Sequence, residues 1–281
     1  MSPVHDQSYR RYEGPREPQG RGWLVIAGAG LRTVLARKTF IALLLLSWLP
    51  FLVRTVQIYA VTMYPQAGQV LPVNAGMFQS FVEGQGLCAF FVTIYVGAGL
   101  IANDRRANAL QVYLSKPILR IEYIMGKLAV LATFLVGVTL LPALLLLVVE
   151  AVLSGGFDLV RADPAIVPAV VLASLIRVIV ASATMLALSS ISRSARYVAV
   201  MYTGVVFFAE ALYGVLSFIT GSSGVAWVSI TRNFNVVTDA IFREAPRYDT
   251  PAAVSFIVLA GLVAVSISVL ERSVRGVEIV S

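Results

Sequence analysis

A chain of 281 residues that is 58% hydrophobic and only 13% charged lies far below the roughly 25% charge of a soluble domain. That composition excludes a soluble globular protein, and the length leaves no room for a large domain outside the membrane. The net charge of +7 would suit nucleic acid or anionic lipid, and the placement of the charges decides for a membrane surface and against nucleic acid.

The first segment, residues 1–22, is polar and rich in Pro, Gly and Arg. It lacks the apolar centre and small-residue cleavage site of a signal peptide, so it reads as a disordered cytoplasmic tail. Its His5, the only histidine, is a solvated tail residue, since a metal site needs several ligands together. Residues 23–38, "WLVIAGAGLRTVLARK", form a weakly amphipathic pattern with Trp23 and Leu24 as apolar bulk and Arg32, Arg37 and Lys38 facing head groups. Such a helix lies along the interface; the alternative is that it simply begins a long first span.

Crossing about 30 Å of hydrocarbon takes about 20 apolar residues. Six stretches meet that length, at about 39–60, 84–103, 126–150, 165–190, 198–220 and 252–270. The fold class is therefore all-α, a polytopic membrane protein with six transmembrane helices, which puts both termini on one side. Lysine and arginine set the orientation. With the amino terminus inside, the inner segments hold 7 (1–38), 5 (103–127), 2 (191–197) and 2 (271–281), or 16; the outer ones hold 0 (62–83), 1 (154–164) and 3 (221–251), or 4. Both termini and the 103–127 loop are thus expected in the cytoplasm, with 23–281 forming one membrane domain. The absence of any organelle signal fits a bacterial inner or plasma membrane.

Two connectors carry helical patterns of their own. In 74–83, Asn74 is a cap candidate and Met77, Phe78, Phe81 and Val82 share a face; in 233–242, Phe234, Val237 and Ile241 recur at helical spacing. Both read as short helices at the outer interface, with Trp227 as an interfacial aromatic. Along the second span, Ala89, Thr93 and Gly97 repeat every four residues, a small-residue face open to packing within the chain or against another copy. The lone Cys88 permits no intrachain disulfide and reads as a buried thiol.

Residues 103–127 read "NDRRANALQVYLSKPILRIEYIMGK". Asp104 favours a helix start, Pro117 forces Lys116 out of α geometry, and Ser115 can cap a second short helix. Tyr123 and Lys127 mark where the third span begins. The result is a stiff, charged elbow; the plainer reading is a basic inside loop that merely satisfies the orientation rule.

Asp104, Leu110, Leu114, Ser115, Pro117, Arg120, Tyr123, Gly126 and Lys127 follow an acidic, Leu, Ser-x-Pro-x-x-Arg-x-x-Tyr-x-x-Gly-Lys order. Together with the six spans and the closing "ERSVRGVEIV", this pattern resembles the type-2 class of ABC transporter permeases, the exporter-type membrane subunits. Ala109 stands where that pattern commonly has Thr. The resemblance implies an elbow helix before the first span and a coupling helix in the loop. It implies ATPase-coupling roles for Asp104, Arg105, Arg106, Leu110, Leu114, Ser115, Pro117, Arg120, Tyr123 and Lys127. It also implies two permease subunits, identical or homologous, above two ATP-binding subunits that hold ATP and Mg. This chain has no P-loop of its own: around "GKL" at 126–128, Ile121 replaces the leading Gly and Leu128 the metal-binding hydroxyl. No catalytic, metal or cofactor residue is expected.

Arg54, Arg177 and Glu210 are ionisable residues inside the spans, where they need partners. Arg177 stands 13 residues before Ser190 and Glu210 stands 13 after Tyr197, so both lie about 20 Å from the hairpin turn. Equal depth predicts an Arg177–Glu210 ion pair that fixes helix register or meets a polar head group. Arg54 is expected to snorkel or to meet Glu83 or Glu150. The rival functions are a non-catalytic scaffold for a cytoplasmic complex and a membrane-embedded enzyme; the second lacks the paired acids or clustered histidines such chemistry uses.

Overall fold

The computed structural model describes residues 21–109 and 119–274, and among these every regular element is a helix. Six helices are long and apolar enough to cross a membrane: Lys38–Met63, Ala75–Arg106, Arg120–Ser154, Ile166–Ile191, Ala195–Thr220 and Ala252–Ser273, here spans one to six. Of the expected tail 1–22, residues 1–20 lie outside the described residues, as do those from 275, while Gly22 already opens a helix.

Three spans are interrupted, and the local chemistry says where. Span one breaks at Trp48 because Pro50, in the first turn of the helix that follows, brings no N–H to the ladder; Trp48 N–H turns to the nearer Leu45 carbonyl instead. Span two carries a π-helical turn at Thr93–Gly97, where the Thr93 hydroxyl donates to the Ala89 carbonyl at 2.6 Å. Span three breaks at Thr139, three residues before Pro142, and the Thr139 hydroxyl donates to the Leu135 carbonyl. Spans three and five stop at Gly155 and Gly221, both in left-handed geometry that glycine adopts without strain.

Spans two and three run past the hydrocarbon stretch that composition marks. Span two begins at Ala75, with the Asn74 side chain accepting from Met77 N–H at 3.0 Å. The expected separate helix over 74–83 is therefore the first two turns of span two. Its apolar face is buried as the pattern requires, since Met77, Phe78, Phe81 and Val82 pack against spans three and four. The helix Ile230–Phe242 is separate, capped by Ser229 accepting from Arg232 N–H, with Phe234 and Val237 buried.

Span four is the centre of the bundle. It carries the most buried residues of any span, and they are mostly small: Ala169, Ala173, Ser174, Ala181, Ser182, Ala183 and Ala187 among them. Small side chains let five neighbours approach one axis. Gly97 of span two belongs to this close packing; a Cβ there would fall 2.4 Å from Met185 Cγ and 2.9 Å from Leu131 Cδ2. The small-residue face of span two is thus used inside the chain. Spans one, five and six keep most of their apolar surface open; on span five only Val198 and Tyr202 are buried.

The amino-terminal helix Gly22–Leu35 ends before span one begins, so the two are not one long helix. It docks on the first half of span three through Ile26, Ala27 and Val34. Gly126 sets the closeness of that docking: a Cβ there would lie 2.8 Å from Ile26 Cβ and 3.0 Å from the Trp23 carbonyl. Gly126→Val is expected to cost about 2 kcal/mol of stability by overpacking, read as a lower midpoint in denaturant titration of the protein in micelles. Gly28→Ala, where a Cβ meets nothing within 4 Å, should leave that midpoint unlowered.

Candidate functional site

Two constellations of polar residues stand out, at the 104–127 end of the bundle and in its interior. At the first, Asp104 is the hub. Its carboxylate accepts the Tyr123 hydroxyl at 2.8 Å and pairs with Lys127 at 2.7 Å, while the Lys127 ammonium sits 5.5 Å from the centre of the Tyr123 ring. Tyr123 is fully buried, and the Lys127 and Asp104 side chains are only 12% and 19% exposed. This contact closes the two described ends of the charged segment onto each other.

Span four anchors the same end. The backbone turn near Ala98–Ile101 frees amides that the Ser189 hydroxyl then accepts, from Ile101 at 3.1 Å and Ala102 at 3.0 Å, while it donates to the Ala98 carbonyl at 3.0 Å. One hydroxyl thereby uses its donor and both lone pairs. The Arg105 guanidinium donates to the Ser190 carbonyl. Asn108 follows in left-handed geometry, φ 52°, which asparagine tolerates better than most residues. At the other strand of the segment, Glu122 accepts from Leu119 N–H at 3.0 Å and caps the start of span three. Arg106 and Arg120 are exposed. Of the expected coupling residues, the structure thus brings together Asp104, Arg105, Tyr123 and Lys127; Leu110, Leu114, Ser115 and Pro117 lie outside the described residues. Sequence reading missed Ser189 and Ser190, whose only signal was a pair of hydroxyls in the last turns of an apolar span.

The interior constellation departs from expectation. Arg177 and Glu210 line one cavity of about 350 Å³ between spans two, four and five and the Ile230–Phe242 helix, but they do not pair. Glu210 is held by Arg232, through Nε at 2.8 Å and a second bond from Nη2, and accepts the Ser229 hydroxyl at 2.6 Å. Equal depth does not make a pair here, because spans four and five are not an isolated hairpin. The connector between spans five and six folds back and presents its own cation to the acid. Arg232 is further held by the Tyr248 hydroxyl at 2.8 Å and lies 5.0 Å from the Tyr213 ring centre. Burial lowers the affinity of the Arg232 guanidinium for its proton, but hydrogen bonds to Glu210 and Tyr248 outweigh it and raise the pKa above the ordinary value.

A second network lies beside the first. Arg247 bridges Glu83 and Asp239, with Nη1 to Glu83 at 2.9 Å and Nε to Asp239 at 2.9 Å; Asp239 also accepts from Gln79 at 2.5 Å. Hydrogen bonds to Glu83 and then Asp239 hold the Arg247 pKa above its ordinary value. Glu83 is therefore taken, and Arg54 meets neither it nor Glu150: it donates to Gln57 at 2.6 Å and to Ser80 at 3.4 Å.

Arg177 is left in a different state. Its closest hydrogen-bond acceptor is the Glu83 backbone carbonyl at 3.5 Å, its Nε is buried without a partner, and its guanidinium stands 5.0 Å from the Phe234 ring centre. Compared with models of protein families and with curated proteins, the sequence finds no match.

Proposed function

We propose that the chain is the membrane-spanning permease subunit of an ATP-driven exporter of the type-2 ABC class, without a nucleotide site of its own. The observation that carries this reading is the Asp104–Tyr123–Lys127 closure. A segment pinned at both ends to spans two and three, and through Arg105 to span four, acts as a lever: a push on it tilts three helices together. A merely connecting loop has no need of a buried closure at its base. In this reading a separate ATP-binding subunit, carrying ATP and Mg, grips the loop, and a second permease subunit completes the pathway. The Gly22–Leu35 helix serves as the interfacial elbow. In this reading the membrane is a bacterial inner or plasma membrane with both termini on its cytoplasmic side, an orientation that the cation bias of 16 to 4 supports.

Arg120 is exposed at the start of span three and offers its charge to the ATP-binding subunit. Arg120→Glu is expected to reduce co-isolation of a P-loop ATPase with the tagged chain about tenfold, the scale of losing one interfacial charge pair, with unchanged stability of the membrane part. Labelling supplies the second check. Single cysteines replacing Arg106 and Arg120, in a Cys88→Ser background, should react with an impermeant maleimide only after the inner face is opened. Reaction from outside intact cells, or undiminished co-isolation by Arg120→Glu, sinks the proposal.

A further inference from the structure

Arg177 lies eleven residues into a span of 26, about 17 Å from its start and well within the length of that helix. A guanidinium at that depth has to be met by hydrogen-bond acceptors or an opposite charge. Every carboxylate on its cavity is already committed: Glu83 shares Arg247 with Asp239, and Glu210 holds Arg232. Among the described residues Arg177 makes no ion pair, and of its five N–H donors a single one reaches an acceptor, at the outer limit of 3.5 Å. Its guanidinium lies close on the backbone of span two; a Cβ at Gly86 would stand 1.9 Å from Nη1, so the glycine is what leaves it room.

The cavity beside it has an apolar route to the lipid. Leu87 and Phe207, 65% and 61% exposed, stand on its lining where spans two and five face the bilayer. Phe90 is also on that lining, stacked on Tyr202 at 5.7 Å and edge-on to Phe207 at 5.8 Å between ring centres. The interior end is a planar fork with most of its donors unused and one face toward Phe234, the exterior end is hydrocarbon, and the volume of about 350 Å³ falls at the small end of ligand sites.

We propose that this cavity binds a single-chain anionic amphiphile of the fatty-acid type, its carboxylate on Arg177 and its chain passing between Leu87 and Phe207 into the bilayer. A carboxylate matches the guanidinium fork with two parallel hydrogen bonds, and one chain suits the small volume better than two. The surrounding charges sum to zero, three guanidiniums (Arg177, Arg232, Arg247) against three carboxylates (Glu83, Glu210, Asp239). The cavity therefore has no general attraction for anions, and the bound charge depends on the direct contact with Arg177. The inference stands apart from the export reading, because binding is measured on the chain with no ATPase present.

The test is titration of the full purified chain in nanodiscs with cis-parinaric acid, a fluorescent fatty acid. Saturable binding is expected, displaced by palmitate and not by hexadecanol, which has the same chain without the charge. Arg177→Gln should weaken the affinity at least tenfold. Ala181→Leu, which fills the cavity and leaves every charge in place, should do the same, so the result survives if the arginine variant does not fold. Displacement by hexadecanol as effective as by palmitate overturns the proposal, as does wild-type affinity in both variants. Displacement by hexadecyl phosphate but not by palmitate overturns the carboxylate assignment.

Discussion

Asp239→Ala should lower the stability of the protein in micelles by about 3 kcal/mol, the scale of breaking a buried charged network by removing one partner. Asp239 is 3% exposed and accepts from Gln79, from Arg247 Nε and Nη2, and from the Arg247 backbone amide at 3.3 Å. Removing the carboxylate leaves the Gln79 amide, itself 6% exposed, with only the 3.2 Å bond to Glu83, and leaves Arg247 with Glu83 alone. Arg247 is 43% exposed on its side chain, so water recovers part of that loss, and the figure sits at the lower end of the range for this reason. Asp239→Asn keeps the acceptor for Arg247 or Gln79 and should lose about half as much. The measurement is the midpoint of unfolding in denaturant, followed by tryptophan fluorescence. An Asp239→Ala midpoint equal to wild type would show that the connector between spans five and six is not held down by this network.

Asp104→Ala is expected to cost about 2 kcal/mol, because one carboxylate there serves both a fully buried phenol and an ammonium in low-dielectric surroundings. The Tyr123 hydroxyl and the Lys127 ammonium both reach it, at 2.8 and 2.7 Å. The diagnostic is a double-mutant cycle with Lys127→Met. If the two groups act as a pair, the double variant loses less than the sum of the singles, with a coupling of about 1 kcal/mol or more for residues in contact. Additive losses would mean that the two ends of the charged segment are not closed on each other, and the lever reading would lose its mechanical basis. Arg106→Ala, an exposed residue at the same turn, should stay within about 0.5 kcal/mol of wild type.

The interior charges show where sequence reasoning stopped. Depth along a helix follows from counting at 1.5 Å per residue, and Arg177 and Glu210 do line one cavity, yet they do not pair. Pairing needs direction as well as depth, and direction was set by a connector. The amphipathic period of Phe234 and Val237 was legible, and the helix Ile230–Phe242 formed with those residues buried. That this helix packs on spans four and six, and thereby carries Arg232 to Glu210, has no local signature. At the 104–127 end the sequence pattern picks out the Asp, Tyr and Lys, yet their contact links positions 19 and 23 residues apart, and no local pattern fixes that approach.

The chain by itself determined its solvent and its number of crossings. Burial of about 20 apolar residues in hydrocarbon is a local transfer energy, summed residue by residue, so six spans are written in composition alone. Local chemistry also fixed the Asn74 cap, the proline breaks in spans one and three, and the glycine ends at Gly155 and Gly221. Only the tertiary structure decided where the spans end beyond the hydrocarbon, which helix sits at the centre, and which charge meets which. Those outcomes depend on close approach between segments distant in sequence, through small residues such as Gly97, Gly126 and Gly86. An ion pair inside a membrane is chosen by which side chains packing brings within a few ångströms, and that choice left Arg177 facing an open cavity.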